Sequence, residues 1–492
     1  MSVPDRIVHG LKATLVARLC KMIVNGLLLL LLARVLLTPT EYGLLFLAIS
    51  IVGVAKMFGD LGLSRSAAYY VTKFKEAEPA KVPSVLRIAI QYRLLLLCLV
   101  GTLLVVGSGL IATVLDEPEL APVLVIGAGY LVTLSLHSFV GTMFQGFNRV
   151  SLTAVIDIVH NVSRLLLVVG FLVLGFGVAG AMAGYLIGAL ISATIGFVIL
   201  YIRFYSNYDG TEPTKTLRNR MLRYSVPLTA TQAANVVDKR VDTILIGFFL
   251  NPVAVGYYVL SKQITEFILV PAGSLGFSVS PTYGEQKATG SLEGGARIYE
   301  TTLRYVMLLY LPAAVGLFLV AEPAVRLIFG ADYLGAVPVL QIFGLYVVFH
   351  AITNVTTQSL DYLGRAKDRA IAKGITSIAN LLLNLLLIPL YGVVGAAFAT
   401  LATYGVYTAV NLYIMQAELP LNTRSVVRSI VPIIGISLCM GLVVSWILPY
   451  VSGLLMLVLT IFCGVAVWGV LAITIGLLDP HEAVAQLRSS SG

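Results

Sequence analysis

Asp157, His160, Asn161 and Arg164 stand at i, i+3, i+4 and i+7 in the stretch VIDIVHNVSRLLLVVG, a spacing that places four side chains on one face of an α-helix. Thr14, Arg18, Lys21 and Asn25 share a face in the same way, as do Thr231, Asn235, Asp238, Lys239 and Asp242, and Lys373, Thr376, Ser377, Asn380 and Asn384. A charge at the centre of hydrocarbon costs about 3 kcal/mol on insertion scales, so polar stripes on apolar helices must face one another or water. Lys262 and Glu266 add one more pair at i and i+4. Together Arg18, Lys21, Arg164, Lys239 and Lys262 outnumber the acids Asp157, Asp238, Asp242 and Glu266. A cationic excess in a wet cleft suits an anionic ligand, which Arg grips through its planar fork and Lys as a point charge. The candidate binding set is therefore Arg18, Lys21, Asn25, Asp157, Asn161, Arg164, Asn235, Asp238, Lys239, Asp242, Lys262, Glu266, Asn380 and Asn384.

Each of these residues also has an ordinary structural role open to it. Asp157 can pair with Arg164, Lys239 with Asp242, and Lys262 with Glu266 one turn on. Arg18 and Lys21 lie within two turns of a span end and can snorkel. Asn380 and Asn384 are expected to serve first as interhelical hydrogen-bond donors and acceptors. His137 and His350 stand alone in the sequence and receive no role. The sequons Asn161-Val-Ser and Asn354-Val-Thr fall inside apolar spans and should stay unmodified.

The elements that must position these stripes are membrane helices. Hydrophobic residues make up 58% of the chain and charged residues 12%, against roughly 25% charged in soluble domains. Apolar stretches of about twenty residues fall near 15–37, 43–63, 86–112, 121–143, 152–174, 177–201, 224–250, 254–279, 303–320, 336–360, 370–388, 393–415, 427–447 and 453–476. Fourteen helices put both termini on one side. With the N-terminus inside, the inward loops hold Arg65, Lys73, Lys75, Lys81, Arg149, Lys215, Arg218, Arg220, Arg223, Lys287, Arg297, Arg365, Lys367, Arg369 and Arg424. The outward loops hold Arg326, with Arg34 at a span edge, and one carries only Asp116, Glu117 and Glu119. That bias predicts cytoplasmic termini and accounts for the net charge of +9 without nucleic acid. Cys20, Cys98, Cys439 and Cys463 each lie in apolar runs, with neither a disulfide framework nor metal-ligand spacing. The first apolar run lacks a small-x-small cleavage site and reads as a retained span.

Duplication is visible as well. LLTPTEYGLLFLA at 36–48 aligns on FLNPVAVGYYVLS at 249–261, LGLSRSAAYY at 61–70 on LGFSVSPTYG at 275–284, and FGVAGAMAG at 176–184 on YGVVGAAFA at 391–399. The three offsets are nearly equal. Six helices per repeat, an even number, give both copies the same orientation, with a pseudo-twofold axis along the membrane normal. The expected organisation is an N-lobe at 1–208, a C-lobe at 209–417 and two further helices with a tail at 418–492. In NLLLNLLLIPLYGVVGAAFAT, at 380–400, Pro389 should end one helix, Gly392 should allow the turn, and the small residues after it should let the returning helix pack closely.

On these residues the chain resembles a known family over nearly its full length. ARVLLTPTEYGLL, FGDLGLSRSA, RYSVPLTATQAANVVDKRVDTILIG and above all NLLLNLLLIPLYGVVGAAFAT resemble the polysaccharide transporter branch of the multidrug/oligosaccharidyl-lipid/polysaccharide exporter superfamily, which includes lipid-linked oligosaccharide flippases. The resemblance implies an all-α integral membrane fold, two six-helix lobes around a central cavity, and alternating access in the cell membrane. The polar stripes would then line that cavity and meet the phosphate or diphosphate of a lipid-linked saccharide. Glycan-assembly proteins are implied as possible partners, and no cofactor is.

Three function classes compete. A flippase for a polyprenyl- or dolichyl-linked sugar fits the cationic excess. A cation-coupled drug exporter of the same superfamily would favour an apolar cavity with an acidic coupling site, and usually lacks the last two helices. A membrane-embedded glycosyltransferase finds no support: no loop between spans exceeds about twenty-five residues, and neither a metal-ligand cluster nor a phosphate-cradling glycine loop is present.

Overall fold

A computed structural model describes residues 3–206, 208 and 212–478; the side chains of 3–13, 15, 230–235, 237 and 238 lie outside the described set. Fifteen α-helices run through the described residues: α1 Val3–Leu31, α2 Pro39–Asp60, α3 Leu63–Ala77, α4 Val82–Val114, α5 Leu120–Gly146, α6 Val150–Val173, α7 Gly177–Leu200, α8 Lys215–Phe249, α9 Pro252–Ile268, α10 Val270–Ala288, α11 Leu292–Ala324, α12 Val337–Tyr362, α13 Ala366–Glu418, α14 Thr423–Ile447 and α15 Leu454–Thr474. No strand occurs among those residues. Eleven helical segments are long and apolar enough to cross a membrane, or twelve when α9 and α10, bent by 43°, count as one broken span. The 53-residue α13 turns back at Gly392, and the 35-residue α8 is long enough to span but carries many charges. The protein is thus an all-α, multi-pass membrane protein, consistent with the fourteen spans expected.

The chain forms two compact units, residues 1–259 and 260–492. In the first, α6 packs on α7 and α1, while α5 packs on α7, α4 and α2. In the second, α11 packs on α12 and α14, α12 on α13, and α14 on α15.

The motif TPTE proves to be a helix start. The Thr38 hydroxyl accepts from the Glu41 amide at 3.3 Å, the Glu41 carboxylate accepts from the Thr38 amide at 2.9 Å, and Pro39 takes the first helical position. This is a complete capping box. At the repeat-equivalent position, Asn251 precedes Pro252 and its side-chain oxygen accepts from the Ala254 amide at 2.9 Å. A different residue caps the same turn, which explains how TP and NP can replace each other.

The turn in α13 differs in detail from the expectation. Pro389 lies within the helical run, and the break falls at Gly392, with φ 62° and ψ −145°. Pro389 removes one backbone N–H from the last turn of its arm without ending it, whereas those angles are open to glycine without strain. A Cβ on Gly395 would sit 2.1 Å from the Leu387 carbonyl oxygen. The small residue is required by the close return of the chain.

Candidate functional site

Helix α6 carries the most complete polar face. Its approach to α7 depends on glycine: a Cβ on Gly184 would lie 2.6 Å from the Val168 amide nitrogen, and one on Gly188 2.9 Å from the Arg164 Cα. The backbones therefore nearly touch where Arg164 leaves the helix. Its guanidinium lies over the Tyr185 ring at 5.3 Å. The Arg164 Nη2 donates to Asn25 Oδ1 on α1 at 2.6 Å and to Asn161 Oδ1 at 3.2 Å. Asn161 Nδ2 in turn donates to the Asp157 backbone carbonyl at 2.7 Å. Two stripes expected to face a common space, on α1 and α6, are thus joined through Arg164.

Two readings of this face need correction. Asp157 does not pair with Arg164. Its carboxylate turns to α5, where Oδ1 lies 3.3 Å from His137 Nε2, while the amide oxygens of Asn25 and Asn161 share the Arg164 Nη2. Nor is His137 alone. Besides Asp157, it meets Ser192 Oγ through Nδ1 at 3.0 Å, and its ring stacks on His160 at 4.7 Å. The order Ser192, His137, Asp157 is that of a hydrolytic relay, but Ser192 is fully buried and lies 3.0 Å from the Ala189 carbonyl. No acyl group can reach it.

The first unit also holds cations that periodicity missed. Lys56 on α2 donates to Ser138 on α5 at 2.8 Å. Arg240 on α8 lies against Gly53, whose added Cβ would come within 3.2 Å of its Nε. Arg164 and Arg240 both bear electrostatically on the buried phenols Tyr130 and Tyr185. Arg93 on α4, 1% exposed, donates to Asp60 at 2.5 Å, to Ser64, and to the carbonyl and hydroxyl oxygens of Ser135 at 2.7 and 2.8 Å. Lys56 and Arg93 sit singly in apolar runs, and Arg240 lies beside Lys239 but outside the spacing of its stripe, so no stripe marked them. Lysine or arginine in a predicted span is itself the signal.

The remaining candidates are placed as follows. Arg18, Lys21 and Lys239 are exposed on their helices, and Asp242 is buried, accepting from the Tyr258 hydroxyl at 2.7 Å. The side chains of Asn235 and Asp238 lie outside the described residues. In the second unit, Glu266 is exposed and Lys262 is half-buried. Asn384 donates to Asn380 at 3.0 Å and Asn380 to Thr403 at 3.3 Å. These amides fasten the two arms of α13 to each other.

A multi-pass helical chain whose membrane helices carry joined cationic and amide side chains has the character of a transporter. The model of the family described as polysaccharide biosynthesis protein matches residues 7–284, and the chain belongs to that family. The MatE model matches residues 227–386. Among curated relatives, the probable low-salt glycan biosynthesis flippase Agl15 of Haloferax volcanii is 24% identical over 36% of this chain, and the probable flippase AglR of the same organism 33% identical over 32%. The matched stretches span only 37% and 34% of those two relatives. A solved structure of the lipid II flippase MurJ in an inward closed conformation superposes with a TM-score of 0.76, at 19% identity, over 95% of this chain and 98% of that one. The fold is that of the superfamily whose polysaccharide branch the sequence resembles.

Proposed function

We propose that the protein flips a lipid-linked saccharide, carried on a polyprenyl or dolichyl phosphate or diphosphate, from the cytoplasmic to the outer leaflet by alternating access. On this reading it is a transporter rather than an enzyme, sits in the cell membrane with both termini cytoplasmic, and works alongside glycan-assembly proteins. The repeat in sequence makes residues 1–208 and 209–417 the two moving lobes and 418–492 an addition to them. The names of the relatives support this, as does family membership.

The observation that carries the proposal is the Arg164 arrangement. A guanidinium in a membrane helix is held by two amide oxygens and an aromatic face, with no carboxylate bonded to it among the described residues. Its charge is oriented but not neutralised. A phosphate oxygen supplies what the amides do not. Arg18, Lys21, Lys239, Lys56 and Arg240 extend the same positive character across the first unit.

The test is leaflet transfer in vesicles of a polyprenyl diphosphate bearing a fluorescent sugar, read by quenching of the outer leaflet. Ala at Arg18, Lys21, Arg164 or Lys239 should each lower transfer about a hundredfold where the phosphate is left unpaired. Lys should rescue Arg18, which needs charge alone, and fail at Arg164, which uses its fork and stacking plane. Unchanged transfer by folded Ala variants at all four positions would remove the assignment and favour the exporter reading suggested by the MatE match.

A further inference from the structure

We infer that the outer face of α4 carries a binding site for an anionic glycerophospholipid of the inner leaflet, its phosphate on Lys215 and Arg218 and an acyl chain along α4. The site is independent of what the protein transports.

Two hollows flank α4 at the basic end of the first unit. One, of about 290 Å³, lies between α4 and the start of α8, where Gln91, Tyr92 and Leu95 meet Thr214, Lys215 and Arg218. The other, of about 340 Å³, lies between α4 and the end of α7, walled by Leu86, Ile90, Phe197, Leu200, Tyr201 and Tyr205. Gln91 lines both, so a single side chain separates a cationic hollow from an apolar one.

Their depth in the membrane follows from the sequence of α4. Residues 94–114 carry no charge, and at about 1.5 Å per residue they cover about 32 Å, the thickness of the hydrocarbon layer. With the acidic turn of Asp116, Glu117 and Glu119 outside, Gln91 and Tyr92 fall at the inner edge of the hydrocarbon. Lys215 and Arg218, which share their hollow, then lie at the depth of the lipid phosphates. Exposed Tyr201, stacked on Tyr205 at 5.7 Å, supplies the aromatic rings typical of that boundary. Towards the midplane, Leu95, Leu99 and Leu103 recur at i, i+4 and i+8, each more than half exposed. They make an apolar strip that starts inside the cationic hollow.

The charges select the headgroup. Arg87 on α4 is already engaged, Nη1 donating to Glu212 at 3.1 Å and Nη2 to the Tyr205 hydroxyl at 3.4 Å. The Thr214 hydroxyl accepts from the Leu217 amide at 3.2 Å. Lys215 and Arg218 stand at i and i+3 on α8, with no carboxylate bonded to either among the described residues. Two such cations beside an apolar strip suit a ligand with phosphate at one end and hydrocarbon at the other. Arg164 is held between α1 and α6, whereas α4 packs on α5, α2 and α3. The occupant is therefore a resident lipid, which ties the start of α8 to α4, and not the transported carrier.

The test uses the whole chain in vesicles. Trp446→Phe and Trp468→Phe remove both tryptophans, and Leu95→Trp places one reporter beside the site. Quenching by chain-brominated phosphatidylglycerol, mixed into phosphatidylcholine, reads the preference for anionic lipid. Each basic group should contribute about fivefold, so the pair should give about thirtyfold at low salt, falling severalfold at about 0.5 M salt. Lys215→Gln with Arg218→Gln should bring the preference close to one, and Lys215→Arg with Arg218→Lys should retain it. A reporter at Leu110→Trp, at the far end of the same helix, should show none. Equal preference at both reporters, or a preference unmoved by salt and by the Gln pair, overturns the site. Glycerol phosphate in the water and polyprenyl phosphate in the membrane should each leave the quenching unchanged. Displacement by the first would make this a site for soluble phosphate, and by the second a port for the carrier; either overturns the assignment.

Discussion

Arg93 shows what single residues contribute here. A guanidinium that is 1% exposed within the run YRLLLLCLV donates through Nη1 to Asp60 and Ser64, at the end of α2 and start of α3, and through Nη2 to Ser135 on α5. Asp60 and Ser64 belong to FGDLGLSRSA, one of the stretches that identify the family, so that motif is a clamp for an arginine from another helix. Breaking one side of a buried pair usually costs about 3–5 kcal/mol, because the partner charge stays behind unpaired, while replacing both with apolar groups is often neutral. Arg93→Ala should accordingly lower the thermal midpoint in detergent strongly, and Arg93→Met combined with Asp60→Asn should recover most of the loss. Equal loss in single and double variants would assign Arg93 to packing instead. This residue was illegible from periodicity, since its partners come from three helices and it has no polar neighbour on its own face. The Arg164 stripe was legible because Asp157 and Asn161 lie on the same helix, but the pairing was not, since Asn25 and His137 arrive from other helices.

Glycine sets the geometry of elements. The α6–α7 contact is close enough that Cβ atoms at Gly184 and Gly188 would meet backbone atoms at 2.6 and 2.9 Å, and backbone cannot rotate aside as a flexible side chain can. Gly188→Ala should therefore push α7 from α6 at the level of Arg164 and cost about 1–3 kcal/mol. It should also lengthen the Arg164–Asn25 contact and slow lipid transfer. Gly435→Ala on α14, where nothing lies within 4 Å, should raise or leave unchanged the midpoint, as helix propensity alone would have it. A drop at Gly435 as large as at Gly188 would mean that close packing is not the cause. Helix positions were readable from apolar runs of sufficient length, and the duplication from the matched stretches holding TPTE and NPVA, whose capping role only the structure shows. The exact break in α13 was not, because Pro and Gly three residues apart both interrupt helices and only the backbone angles show which one does.

At the scale of the whole molecule, orientation is the property most open to direct test. Within the first unit, Thr72 and Lys75 on α3 both donate to the Gly146 carbonyl at the end of α5, and Ser66 donates to Met221 near the start of α8. Those contacts gather the segments around 62–81, 146–150 and 212–220 at one end of that unit. Within the second, Glu418 accepts from Lys287 at 2.5 Å and Arg365 at 2.7 Å, gathering the ends of α10, α12 and α13. Both groups are made of the same basic loops that the sequence assigns inward, and Asp116, Glu117 and Glu119 lie in the turn between α4 and α5, at the opposite end of α5 from Gly146. Positively charged loops resist translocation, so each unit should present its basic end to the cytoplasm. After replacement of Cys20, Cys98, Cys439 and Cys463, single cysteines placed in 212–220 or 362–369 should react with an impermeant maleimide only when the membrane is opened or inverted. One placed in 116–119 should react in intact cells. Reaction of the basic loops in intact cells would reverse the orientation, and with it the direction in which a cytoplasmic lipid-linked sugar could enter the Arg164 face.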